Sequence, residues 1–118
     1  MQLLKINIRQ ALEYKNAQIV QLEGDFDGSA DEHLEPIQNL LEKCPADSQV
    51  IFDLTSLNYL NSFAVSKMVE WQKRAEAKGM KMLLVKPNNH IRDIFMVLGV
   101  DALFTIYDDF ESIVSSEQ

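Results

Sequence analysis

One stretch, residues 50–65, limits what this chain can fold into more than any other part of the sequence. It starts with an apolar run, Val50–Phe52, whose β-branched and aromatic residues are typical of a buried strand. It continues to Asn61 and Ser62, where apolar residues begin to recur with helical spacing. We therefore expect a strand, a tight connection and a helix whose first turn presents a hydroxyl. Such a helix N-terminus has unpaired backbone N–H groups, so it accepts a phosphate or a carboxylate.

The patterns on either side of this stretch predict an α/β fold, with a mixed sheet and helices packed on it. Alternating apolar residues predict strands, and apolar residues spaced by three or four predict helices. Gly79 is expected to end the second helix. We expect strands at 4–9, 19–22, 49–54, 80–86 and 103–107, helices at about 35–44, 62–78, 89–98 and from 109 onwards, a hairpin turn at 13–16 and a loop at 24–29.

Two of these helices carry apolar faces that we expect to be buried in the core. The face of the second helix consists of Ala64, Met68, Trp71 and Ala75, and that of the third helix consists of Ile91, Ile94, Phe95 and Leu98.

The composition indicates one soluble globular domain over residues 1–118, since 47% of the residues are hydrophobic and 25% are charged. The net charge of −7 argues against binding to nucleic acid, which requires a basic surface. No apolar run approaches the length of a membrane span, and the N-terminal residues lack the apolar core of a signal peptide. The single cysteine, Cys44, has no partner for an internal disulfide. We expect a cytoplasmic protein without a membrane segment.

The basic residues are unevenly distributed, since seven of the eleven fall between Lys67 and Arg92. We interpret this cluster as a solvated helix face, with cations towards the helix C-terminus where the dipole favours them. The alternative is a basic patch beside Ser62 that contacts an acidic partner.

The sequence contains no arrangement typical of a metal, cofactor or catalytic site. His33 and His90 lie far apart without metal-ligand spacing, and Cys44 stands alone. No glycine-rich nucleotide-binding motif is present, and nothing has the pattern of a Ser-His-Asp triad. We therefore expect no metal and no cofactor.

One alternative from another class is a phospho-receiver domain that uses the acidic residues at strand ends. Asp25 and Asp27 follow a predicted strand, Asp53 lies near the end of another, and Lys86 ends a third. The spacing fits poorly, because a receiver places two helices between its acceptor aspartate and its lysine. Between Asp53 and Lys86 there is room for one helix only.

Asn61 and Ser62 therefore carry the main functional question. Either side chain can cap the second helix by accepting an N–H bond from its first turn, which is worth roughly 1 kcal/mol. The other interpretation is that Ser62 acts as a switch. The residues alone leave both open.

The segment from Val50 to Ser62 resembles the central motif of STAS domains, the fold of bacterial anti-sigma-factor antagonists. That motif is an apolar strand ending in Asp-Leu, a short connection, and Asp-Ser-Ser-Gly at the start of a helix. Further similarity lies in Leu22–Asp27, Lys73–Gly79 and Ile94–Phe104, so the resemblance covers essentially the whole chain. It implies a single STAS-like domain with a mixed sheet of four to five strands and about four helices.

The resemblance also implies a non-enzymatic module that regulates transcription by partner switching. Family members bind an anti-sigma factor that is also a serine kinase, the kinase releases them by phosphorylating a serine, and a phosphatase restores binding. By position, the phosphorylated residue is Ser62. Here Asn61 replaces the family's aspartate, and Phe63-Ala64 replace a small residue and glycine. The resemblance equally allows a constitutive adaptor or assembly subunit in which Ser62 is only a cap. The implied partner surface comprises Asp27, Asn58, Asn61, Ser62, Phe63 and Ser66.

Overall fold

The fold is that of a computed structural model, which describes residues 2–11, 16–28 and 33–116, with side chains up to residue 113. Strands and helices follow one another in the predicted order. The strands are β1 (Lys5–Ala11), β2 (Ala17–Phe26), β3 (Gln49–Leu60), β4 (Lys81–Val85) and β5 (Thr105–Tyr107). The helices are α1 (Glu35–Lys43), α2 (Ser62–Lys78), α3 (Asn89–Val97) and α4 (Phe110–Ser116), with a short 3-10 helix at Asp101–Leu103.

The strands form one mixed sheet in sequential order, from β1 at one edge to β5 at the other. β1 pairs with β2 antiparallel, and each later strand pairs with its predecessor in parallel. Parallel neighbours need a crossover, and α1, α2 and α3 supply the three crossovers. The α/β fold with a mixed sheet, predicted from the sequence, is confirmed.

The main core lies between the sheet and helices α1, α2 and α3. At its centre, Trp71 of α2 is fully buried and stacks on Phe26 and Phe52, with ring centroids 5.9 and 5.7 Å apart. A smaller apolar cluster on the other face of the sheet includes Ile113 of α4. α2 is therefore fixed against the centre of the sheet, and its first turn has a defined position.

Three strands extend beyond the ranges predicted from the sequence, β1 by two residues to Ala11 and β2 and β3 by longer stretches. β2 continues to Phe26 through a segment that we expected to be a loop, and β3 continues to Leu60 through the expected connection. The extension of β3 pairs with β2 across two register shifts, whereas its pairing with β4 stops at Asp53. Three of the four residues at 55–58 of β3, namely Thr55, Ser56 and Asn58, are polar types that are common in turns and loops. Pairing with a distant strand overrides that local preference.

Other differences concern α3 and the last strand. In α3, Ile91 and Phe95 are fully buried, but Ile94 is only partly buried and Leu98 is 45% exposed. Only two of the four residues of the predicted core face of this helix are therefore fully buried. Leu103 lies in the 3-10 helix instead of in β5. The predicted turn at 13–16 falls largely outside the described residues, although β1 and β2 are antiparallel neighbours as a hairpin requires.

Candidate functional site

The N-terminus of α2 is capped by Asn61, and not by Ser62. Asn61 has an extended backbone conformation, and its Oδ1 accepts a hydrogen bond from the backbone N–H of Ala64 at 3.1 Å. This is the bond by which an N-cap residue satisfies a free N–H group of the first turn. Of the two capping candidates in the sequence, the structure selects the amide.

The same amide joins α2 to the loop that follows β2. Asn61 Nδ2 donates to the carbonyl oxygen of Asp27 at 3.0 Å, and the Asn61 backbone N–H donates to the carbonyl of Phe26 at 3.4 Å. An aspartate at position 61 could cap the helix but could not donate to Asp27. The asparagine therefore holds two separate chain segments together at the tip of the helix.

A second contact between these segments joins Phe63 and Gly28. Gly28 has φ +77°, and a Cβ atom there would lie 2.7 Å from Cδ2 of the Phe63 ring. Only glycine allows this backbone conformation and this close approach without strain. Phe63 remains 42% exposed, and Lys67 Nζ lies 5.9 Å from the centroid of its ring. Phe63 is thus a fixed aromatic surface and not a core residue.

Two serine hydroxyls lie on the first turns of α2, and they differ in their hydrogen bonds. Ser66 Oγ donates to the carbonyl oxygen of Phe63 at 2.7 Å. Ser62 is exposed, and its hydroxyl has no hydrogen bond to any residue in the part of the chain that the structure describes. The α2 tip, which we define as Asp27, Gly28, Asn61, Ser62, Phe63 and Ser66, therefore presents one uncommitted hydroxyl.

Asn58, which was predicted to belong to the same surface, makes different contacts. Its Nδ2 donates to Oε1 of Gln2 at 3.1 Å, and its carbonyl accepts from Asn88 Nδ2 at 3.4 Å. Asn88 also donates to the carbonyl of Leu57 and caps α3 by accepting from Ile91 N at 2.8 Å. Asn58 therefore marks the junction between β3 and α3.

A groove with a mostly apolar lining separates the end of β3 and the start of α2 from α3. It is open to solvent and has a volume of about 430 Å³. On one side, Tyr59 of β3 stacks against His90 of α3 at 5.9 Å between ring centroids. We call it the α2–α3 groove. Its lining residues are Tyr59, Leu60, Asn61, Ser62, His90, Asp93, Ile94, Val97 and Leu98. We did not predict this groove, although the surplus of apolar residues at 96–98 was visible in the sequence.

The basic residues between positions 67 and 92 do not form a patch at the α2 tip. Arg92 pairs with Asp108 at 2.7 Å, and Arg74 lies 3.6 Å from Glu42. Lys78 donates to carbonyl oxygens at the end of α1. Only Lys67 borders the tip, so the interpretation as a largely solvated and structural set of charges fits better.

The acidic residues of the receiver alternative are distributed over different environments. Asp25 Oδ2 accepts from the backbone N–H of Gln2 at 3.2 Å, and Asp53 Oδ1 accepts from both the backbone and the hydroxyl of Thr55. Asp53 also lies in the middle of β3, seven residues before its end at Leu60. Within residues 2–11, 16–28 and 33–113, no group of three His, Cys, Asp or Glu side chains is placed to hold a metal ion.

In the described part of the chain, none of the helices has the length and apolar character that crossing a membrane requires.

Comparison with known proteins identifies one family and several structures with the same fold. A model of the STAS domain family matches residues 9–113. The phosphorylated form of the Bacillus cell fate determinant SpoIIAA has a TM-score of 0.69 at 17% identity, over 95% of this chain and 99% of SpoIIAA. The unphosphorylated form of SpoIIAA, an anti-sigma factor antagonist, has a TM-score of 0.66 at 15% identity, over 96% of each chain. A Shewanella loihica protein with a SpoIIAA-like fold has a TM-score of 0.58 at 12% identity, over 98% of this chain and 94% of that protein.

Proposed function

Because the chain belongs to the STAS domain family, we propose that it is a non-enzymatic regulatory module of the anti-sigma-factor-antagonist type. It acts in the cytoplasm of a bacterium as a single domain over residues 1–118. Its partner is an anti-sigma factor with serine kinase activity, which it binds through the α2 tip. Phosphorylation of Ser62 releases the partner, and a serine phosphatase restores binding.

The observation that carries this proposal is the exposed, uncommitted hydroxyl of Ser62. Asn61 supplies the cap of α2, so the fold does not need the Ser62 hydroxyl. Because Ser62 is exposed and its hydroxyl makes no bond within the described residues, a kinase can reach it without breaking a contact of the fold. A phosphate there leaves the cap bond from Ala64 to Asn61 in place.

The physical effect of phosphorylation follows from charge and hydration. A phosphate adds about −1.5 to −2 charges at neutral pH. The positive end of the α2 dipole and its free N–H groups favour a negative charge at this end of the helix, so the domain stays folded. A partner packed against Ser62 would have to remove water from the phosphate, which is costly. A thousandfold loss of affinity needs only about 4 kcal/mol.

The fixed geometry of the α2 tip supports its assignment as the partner surface. Asn61 and the Phe63–Gly28 contact hold the loop after β2 against the helix, so little conformational entropy is lost when a partner binds. Phe63 offers a half-exposed aromatic ring of the type that anchors protein interfaces. Asn58 lies next to this surface and extends it towards α3.

The structures with the same fold support this proposal. SpoIIAA is an anti-sigma factor antagonist, and its structure is known in phosphorylated and unphosphorylated forms. At 15–17% identity these structures share the fold, and the partner and the switch are therefore our inference for this chain.

The test is affinity capture from a lysate of the source organism with three immobilised proteins: wild type, Ser62→Asp and Asn39→Asp. Asn39 is exposed on α1 outside the α2 tip, so its substitution adds one negative charge elsewhere. We expect wild type and Asn39→Asp to capture the same kinase-type anti-sigma factor and Ser62→Asp to lose it. Equal capture by all three proteins would contradict the switch and favour the constitutive adaptor.

A further inference from the structure

The surface of the α2–α3 groove is mostly apolar, and several of its apolar side chains are exposed or only partly used by the core. Val97 is 83% exposed and Leu98 45% exposed, and Ile94 is only partly buried. Together with Tyr59 they line one continuous groove. Apolar side chains gathered in one concave surface are typical of a binding site, whereas single exposed apolar residues are normal.

We propose that this groove binds an amphipathic helix of the partner protein, with aliphatic residues on the face that enters the groove and lysine or arginine along the border of that face. The proposal deepens the proposed function and rests on it for the identity of the partner. Ser62 lines the same groove, so a phosphate on Ser62 would lie where the apolar face of this helix has to exclude water.

The charges of the groove select this occupant over the alternatives. Among the described lining residues Asp93 is the only carboxylate, and none is a lysine or an arginine. A cationic flank that faces Asp93 is therefore complementary to the groove. A second copy of the chain would bring a second Asp93 and another net charge of −7. A small apolar ligand would remain largely exposed, because the groove is open and not an enclosed cavity.

A helix is the form in which such a segment gains most from the groove. The groove offers side chains of α3 spaced at 90, 93, 94, 97 and 98, which is one face of a helix. A second helix can lay residues with the same spacing against this face while its own backbone hydrogen bonds remain satisfied.

The test uses two neighbouring exposed apolar residues of α3, one inside the groove lining and one outside it. Met96 and Val97 are both exposed, at 64% and 83%, but only Val97 lines the groove. Val97→Gln therefore removes apolar surface from the groove, and Met96→Gln makes the same change outside it. The probe is a synthetic 18-residue peptide with leucines on one helical face and lysines along the borders of that face. A peptide of the same composition with the leucines scattered around the helix is the control for non-specific attraction.

In an NMR titration of the full-length protein, we expect the peptide to shift the amide signals of Tyr59, Ile94 and Leu98. Val97→Gln should weaken its Kd at least about fivefold, whereas Met96→Gln should leave it unchanged. Signals that shift elsewhere, equal Kd values for the two variants, equal binding of the scattered peptide, or no binding would each overturn the proposal. Neither variant changes Ser62, so failure here leaves the phosphorylation switch standing. Failure of the Ser62→Asp capture likewise leaves this result unaffected.

Discussion

Helices α2 and α3 are both amphipathic and both cross over the same face of the sheet, yet they use their apolar residues differently. In α2 the four predicted core residues are all fully buried, namely Ala64, Met68, Trp71 and Ala75. In α3 only Ile91 and Phe95 are fully buried, and the apolar residues towards its C-terminus, Val97 and Leu98, are exposed. α2 is thus a core helix with a polar tip, whereas α3 is partly a core helix and partly a surface helix.

The difference separates the part of the domain that stabilises the fold from the part that carries the proposed binding surface. Burial of α2 fixes the position of Ser62, because the whole helix is held by Trp71 against the sheet. The exposed residues of α3 add little to the fold, but they lie in the same groove as Ser62. The rigid helix therefore carries the proposed switch, and the half-buried helix carries the apolar surface beside it.

The largest expected effect is that of Trp71→Ala on stability. Trp71 is fully buried and stacks on two aromatic rings, so its removal leaves a cavity at the centre of the main core. We expect the free energy of unfolding to fall by about 3–5 kcal/mol in urea unfolding at pH 7. A loss below about 1 kcal/mol would mean that α2 is not held by this core as described.

A smaller effect is expected at the α2 tip, where Asn61 and Ser62 can be compared directly. Asn61→Ala removes the cap bond and the bond to Asp27, so it should cost about 1 kcal/mol or somewhat more. Ser62→Ala should change the free energy of unfolding by less than about 0.5 kcal/mol, because the hydroxyl makes no structural bond. Equal losses in the two variants would show that Ser62 is needed for the fold.

The N-terminus of α4 provides a charged counterpart to the neutral cap of α2. Asp109 accepts hydrogen bonds from the backbone N–H and the hydroxyl of Ser112, and these bonds lower the pKa of the Asp109 carboxyl below 3.8. A lowered pKa in the folded state stabilises the protein above the unfolded pKa, and this contribution is lost as the pH falls through the folded value.

Asp109→Ala should therefore lower the melting temperature modestly at pH 7, and the difference from wild type should shrink below pH 3.8. Asn61→Ala serves as the reference. Because Asn61 has no titratable group, the melting-temperature difference between Asn61→Ala and wild type should not follow the titration of Asp109. Thermal unfolding at several pH values measures both. A difference for Asp109→Ala that grows as the pH falls would contradict the stated sign.

The smallest effect on stability is expected for Val97→Ala in α3. Val97 is 83% exposed, so the substitution should change the free energy of unfolding by less than about 0.5 kcal/mol. Phe95→Ala, two residues away and fully buried, should cost about 3–5 kcal/mol in the same urea experiment. Similar losses for the two variants would remove the distinction between the core and surface parts of α3.

Much of the fold could be predicted because local signals and tertiary structure agree. α2 begins at Ser62 and ends at Lys78 as predicted, since an N-cap residue precedes it and Gly79, with φ +85°, terminates it. The burial of its apolar face follows from helical spacing alone.

The parts that could not be predicted depend on contacts between distant residues. The extension of β3 to Leu60 requires pairing with β2, which a sequence of turn-forming residues does not indicate. The sequence allowed either Asn61 or Ser62 as the cap, and only the structure shows that Asn61 Oδ1 accepts from the N–H of Ala64 while Nδ2 of the same amide donates to Asp27. The position of Leu98 outside the core depends on where α3 ends relative to the sheet.

The most direct test of the central proposal is phosphorylation-site mapping by mass spectrometry on the protein isolated from its own cells. The protein is first separated by size into a partner-bound and a free fraction. The proposed function predicts phosphate on Ser62 in the free fraction and unmodified Ser62 in the bound fraction. Unmodified Ser62 in both fractions, or equal phosphorylation in both, would contradict it.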